Sequence, residues 1–147
     1  MQIRLARLAE KPVLEGLQLR ASLANAGDRE AVLRHPDAID LPVEQIQAGW
    51  AWVAERGDEI LGFAVAMPRT DGDFELDGLF VEPARWRQGI GKQLIDHCVM
   101  VARSAGAGAL HVVGNPHARD FYEGCGFRLV GVVATRFGEG LNYCRRF

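Results

Sequence analysis

A chain of 147 residues has the size of one ordinary domain and can bury a substantial core. Hydrophobic residues make up 48% and charged residues 24%, a globular balance, and no apolar run approaches the length of a membrane span. A net charge of −2 offers no basic face for nucleic acid, so neither nucleic acid nor membrane is expected as a partner. Cys98, Cys125 and Cys144 are odd in number and widely spaced, which suits a reducing compartment and gives no metal-ligand pair. Met1 leads straight into strand-like residues and not into an apolar leader, so the expected location is the cytoplasm.

Alternation of Ile3 and Leu5 with Arg4 and Ala6 predicts a first strand. The period changes at Pro12, where Leu14, Leu17, Leu19 and Leu23 describe a helix ending near Asn25-Ala26-Gly27. A second helical piece over 29–34 is stopped by His35-Pro36, and a weaker one follows Pro42 over 43–48. This polar, interrupted region could wall a cleft or be plain surface, and surface is favoured. Residues 50–55 and 60–67 read as a hairpin turning at Arg56-Gly57-Asp58. The next strand, over 74–81, contains Gly78, which marks a bulge or a close backbone approach.

That strand runs into Arg85-Trp86-Arg87-Gln88-Gly89-Ile90-Gly91-Lys92 and then a long helix. Two glycines allow close backbone approach, and the helix directs unpaired N–H groups and about half a positive charge into the turn. Arg85, Arg87 and Lys92 stand at the end a helix dipole reserves for acids, which makes sense if an anion binds among them. A dinucleotide-binding turn is excluded because Leu94 sits where its third glycine belongs. A P-loop is excluded by Trp86 and Gln93. Downstream, Leu94, Ile95, Cys98, Val101 and Ala102 mark one face of a helix over 91–104, and 109–113 is a short strand. Strand, helix and strand make a right-handed crossover, which sets the turn at the carboxyl end of the first strand. Asn115-Pro116 opens another helix, Gly126 suits its left-handed cap, and 130–135 with 141–147 form a closing hairpin.

The turn and the run Asn115-Pro116-His117-Ala118-Arg119-Asp120-Phe121-Tyr122-Glu123-Gly124-Cys125-Gly126-Phe127 resemble the GNAT family of N-acetyltransferases. That family's loop reads Gln/Arg-x-x-Gly-x-Gly/Ala, here with Trp86 in the first position, and its later motif reads Asn-x-x-Ala-x-x-Phe-Tyr-x-x-x-Gly-Phe. The resemblance implies one α/β domain over 1–147, with a mixed, partly splayed sheet and helices on both faces. It implies acetyl-CoA as cosubstrate, with Leu79, Phe80 and Val81 beside the pantetheine. Pyrophosphate would meet Arg87, Gln88, Gly89, Ile90, Gly91 and Lys92, while Asn115, Ala118, Phe121 and Tyr122 complete the cofactor site. Tyr122 would face the sulfur and protonate the leaving thiolate, as a phenol can. Glu75 and Asp77, two apart on the strand, are candidates for receiving the amine proton, or else ordinary solvent-facing acids. The implied reaction is direct acetyl transfer to a primary amine of a small molecule or protein. A non-catalytic acetyl-CoA or CoA sensor is the alternative, no metal is assigned, and a homodimer is admitted without being required.

Overall fold

The computed structural model describes residues 1–147. Strands β1 (Gln2–Leu5), β2 (Ala51–Arg56), β3 (Glu59–Pro68), β4 (Phe74–Val81), β5 (Ala109–Gly114), β6 (Arg128–Thr135) and β7 (Gly138–Arg146) form one sheet. Their order is β1-β2-β3-β4-β5-β7-β6, and every neighbouring pair is antiparallel except β4–β5. Helices α1 (Lys11–Ala24), α2 (Arg29–Arg34) and α3 (Val43–Gln47) precede β2, α4 (Ile90–Ser104) links β4 to β5, and α5 (Arg119–Gly124) precedes β6. No helix is long and apolar enough to cross a membrane.

The core has a layer on each face of the sheet. Leu14 and Leu17 of α1 and Ile46 of α3 pack with Val53, Phe63 and Val65. On the other face, Leu94, Ile95 and Cys98 of α4 pack with Leu76, Leu110 and Val112. β3 is buried almost throughout because helices cover both its sides. The α4 stripe follows the expected period, with Val99 in place of Val101 as its buried valine. The helix expected from Asn115-Pro116 is broken into a 3₁₀ turn, Pro116–Ala118, and the short α5.

Two irregularities open the sheet. The β3–β4 register steps from Val65–Gly78 to Ala66–Leu76, which leaves Asp77 as an extra residue in β4. Leu76 packs on the α4 side before this bulge, and Leu79 and Val81 pack there after it. A spacing of three where a flat strand allows two is the mark of a bulge. Beyond it β4 parts from β5: their parallel ladder holds only Phe74–Leu110 and Glu75–His111. The expected splayed sheet is present, and its cause is local.

His97 of α4 packs edge-on against Trp52 with ring centroids 4.3 Å apart, and its Nε2 is buried without a partner. Burial lowers its pKa below the ordinary value. The unfolded chain therefore takes up a proton near pH 6.5 that the folded chain refuses until lower pH. Stability should fall as pH drops through this window. Replacing His97 by Phe keeps a ring on Trp52 and removes the titration. Urea midpoints at pH 7.5 and 5.5 should differ less for His97→Phe than for the parent protein, and equal differences would refute the coupling.

Candidate active site

A cleft of about 990 Å³ occupies the opening between β4 and β5. Leu79, Phe80 and Val81 line it from β4, followed by Arg87, Gly89, Ile90, Gly91 and Lys92. Asn115, Ala118, Phe121 and Tyr122 line it from the segment after β5. Of the residues expected at the cofactor, Gln88 alone is outside the lining. Asp77 lines the cleft, but Glu75 does not. The bulge falls on Asp77 itself, between Leu76 and Gly78, two residues beyond Glu75. Asp77 is exposed and accepts a hydrogen bond from Gln45 Nε2 at 2.8 Å.

The loop before α4 has the backbone an anion needs. Arg87 (φ 65°) and Gly89 (φ 79°) both take left-handed conformations, and no side chain caps the helix. The first N–H groups of α4 are thus left for a ligand. Gly91 lies close under Phe121: a Cβ there would be 3.1 Å from its Cζ, a tight contact from which the ring would have to shift slightly. The cations are less free than their spacing suggested. Arg85 is held by Glu59 through two 2.6 Å contacts, and Lys92 by Asp96 at 3.2 Å, while Arg87 makes no ion pair. Trp86 donates its indole N–H to Val81 O at 2.8 Å, pinning the loop to the end of β4. Local sequence carried no signal for that contact.

Tyr122 is 9% exposed and sits among Phe121, Phe127 and Tyr143, with centroids 5.2, 5.6 and 5.2 Å away. Gly114 makes room for it, since a Cβ there would be 2.8 Å from the ring. Burial pushes the phenol pKa up, and the negative charge of nearby Asp28 pushes it further. The hydroxyl is therefore a proton donor through the neutral range. Asn115 is committed at both ends of its amide. Its Oδ1 accepts from the His117 backbone at 2.9 Å, and its Nδ2 donates to Asp28 Oδ1 at 3.0 Å.

Sequence reasoning favoured plain surface for the region after α1, and the structure corrects this. Asn25, Gly27, Asp28, Ala31, Val32, Ala38 and Ile39 line the cleft, as do Thr135, Phe137, Glu139 and Gly140 of the last hairpin. The hairpin tip reaches the α2–α3 connection through an Arg136–Asp37 ion pair at 2.7 Å and a Phe137–His35 ring contact at 5.5 Å. Away from the cleft, Asp71, Asp73 and His111 gather within 4.8 Å, with His111 Nε2 and Asp73 Oδ2 already sharing a 2.8 Å hydrogen bond.

A profile of the Acetyltransferase (GNAT) family matches residues 21–127, which take in the bulged strand, the loop, α4 and α5. The chain belongs to the GNAT acetyltransferase family. This GNAT chain is 28% identical over 96 residues to the "Uncharacterized N-acetyltransferase YvbK" of Bacillus subtilis (strain 168). That match spans 63% of the chain and 62% of the curated relative, so less than two thirds of the relative's length is represented. Among solved structures, an aminoglycoside 6′-N-acetyltransferase complexed with coenzyme A superimposes with a TM-score of 0.73 at 22% identity, covering 99% of this chain and 97% of the other. The PaiA N-acetyltransferase from Thermoplasma acidophilum, also in complex with coenzyme A, gives 0.78 at 16% identity over 99% and 98%. At these identities the likeness establishes the GNAT fold.

Proposed function

We propose that residues 1–147 act as one cytoplasmic acetyltransferase domain that moves an acetyl group from acetyl-CoA to a primary amine. The observation that carries this reading is a single cleft holding both the uncapped start of α4 and the Tyr122 phenol. The coenzyme A bound by both structural neighbours supports the choice of cofactor, and their names support an amine acceptor. In this reading Leu79, Phe80 and Val81 pair with the pantetheine along the parted edge of β4. The loop from Arg87 to Lys92, with Gln88 contributing backbone, takes the pyrophosphate. Ala118 and Phe121 flank the arm, and Asn115 holds the turn that aims Tyr122.

The acceptor nitrogen, once neutral, attacks the thioester carbonyl carbon, forming the C–N bond as the C–S bond breaks. Sulfur leaves with the bonding pair and takes a proton from Tyr122, which solvent then restores. Asp77 receives the amine proton through a water. Glu75 stays the weaker candidate because it is outside the cleft lining. The acceptor is a small-molecule or protein amine. The test is release of coenzyme A thiol from acetyl-CoA across a panel of alkylamines, amino sugars and lysyl peptides. Amine-dependent release is expected. Tight acetyl-CoA binding with no amine-dependent release would replace this reading with a CoA-binding sensor.

A further inference from the structure

We infer that Asp28 holds the acceptor's nitrogen as an ammonium ion, so that alkylamines charged at neutral pH are preferred over arylamines. This rests on the acetyl-transfer reading above and adds the residue that selects the acceptor. Eleven of the 19 acids, Glu10, Glu15, Glu30, Asp37, Asp40, Glu55, Glu59, Asp71, Glu82, Asp96 and Glu123, form ion pairs with Arg or Lys. Asp28, Asp77 and Glu139 line the cleft, and none of them pairs with Arg or Lys.

Asp28 is the most enclosed of these. It lies at the start of α2, and its Oδ1 accepts the Asn115 amide at 3.0 Å while Oδ2 has no hydrogen-bond partner in the protein. The close approach is built in. Gly27 precedes it, and a Cβ there would meet Asn115 Oδ1 at 2.7 Å. The Gly27 N–H is in turn tied to Asn25 Oδ1 at 2.9 Å. Loop, carboxylate and Asn115 are therefore one assembly, and Tyr122 feels the Asp28 charge. Burial raises the Asp28 pKa, against the pull of the Asn115 amide and of His117. A partly desolvated carboxylate beside the group assigned to the sulfur is costly unless a cation arrives. The cleft's Arg and Lys side chains do not serve, since Arg85 and Lys92 are paired elsewhere and all three of Arg85, Arg87 and Lys92 belong to the loop before α4 and its first turn, and His117 makes no ion pair or hydrogen bond with Asp28. An incoming ammonium would take Oδ2.

Such a contact forms with bound substrate before reaction, so its loss appears in KM and not in kcat. Asp28→Asn keeps an oxygen for the Asn115 amide and removes only charge. The test compares benzylamine, a cation at pH 7.5, with aniline, a neutral ring amine, using intact protein and saturating acetyl-CoA. For Asp28→Asn the benzylamine KM should rise about 10-fold to 10²-fold, as loss of a charge-assisted contact implies. The aniline KM and the coenzyme A Kd should stay within about threefold. The melting temperature of Asp28→Asn should equal or exceed the parent's at pH 7.5, because a desolvated charge is gone. That advantage should vanish below the ordinary carboxylate range, where Asp28 is protonated in both states. Equal losses with both amines, or none with either, would overturn the assignment while leaving acetyl transfer intact. A parent protein that binds acetyl-CoA yet acetylates no amine would instead overturn the transfer reading, and this inference with it.

Discussion

Gly91→Glu should lower coenzyme A affinity by about 10²-fold, close to 2.8 kcal/mol. Gly91 lies in the first turn of α4, after a loop whose left-handed residues and uncapped N–H groups suit a pyrophosphate. A glutamate there would suit the helix itself, because a carboxylate at an N-terminus is favoured by roughly 0.3–1 kcal/mol. The helix should therefore survive. Contact with Phe121, 3.1 Å from the new Cβ, can be relieved because that ring is half-exposed and free to swing. What the substitution cannot relieve is repulsion between its charge and the ligand's phosphates. At an effective dielectric near 20 and a separation of about 5 Å, that is roughly 3 kcal/mol. Calorimetry with coenzyme A reads the effect directly, and a thermal shift with excess ligand should shrink in parallel. Unchanged affinity in a folded Gly91→Glu protein would remove the loop from the binding site.

Tyr122→Phe should cut turnover by about 10-fold to 10²-fold and leave coenzyme A affinity within a few-fold. The ring's contacts with Phe121, Phe127 and Tyr143 and its fit over Gly114 do not involve the hydroxyl, so packing is kept. One proton donor is lost, and it is needed only as sulfur departs. Because burial and Asp28 hold the phenol pKa above its usual value, activity should show no alkaline limb at an ordinary phenol pKa of about 10. A parent enzyme losing activity there through Tyr122, or a Phe variant with full turnover when chemistry is rate-limiting, would remove Tyr122 from proton transfer.

The two outcomes can be told apart from a folding defect by the same thermal scans. Gly91→Glu should melt near the parent temperature without ligand and lose only the ligand's contribution. Tyr122→Phe should keep both.

Much of this cleft was legible in the residues alone, for reasons of short range. The glycines at 89 and 91, the helix they precede and the strand before them are adjacent in the chain, and local backbone rules govern all three. The periodicity of α4 and the ends of β4 follow from the same near-neighbour chemistry. The element order, with one crossover joining parallel strands, is likewise a consequence of pattern and connection length. Gly78 announced an irregularity in β4, but which side chain it displaced depended on pairing with β3. Asp77, the bulged residue, lines the cleft, and Glu75 does not. Contacts across long separations were decided by tertiary structure alone. Asp28 meets Asn115 only because α2 folds back over the end of β5, and Arg136 meets Asp37 only because β7 inserts between β5 and β6. Arg85 looked free in the sequence and proved to be spent on Glu59, while Trp86 found Val81. A residue's type and spacing limit which partners it can accept, but packing chooses among them, and on that choice rests whether a charge is paired or left for a ligand.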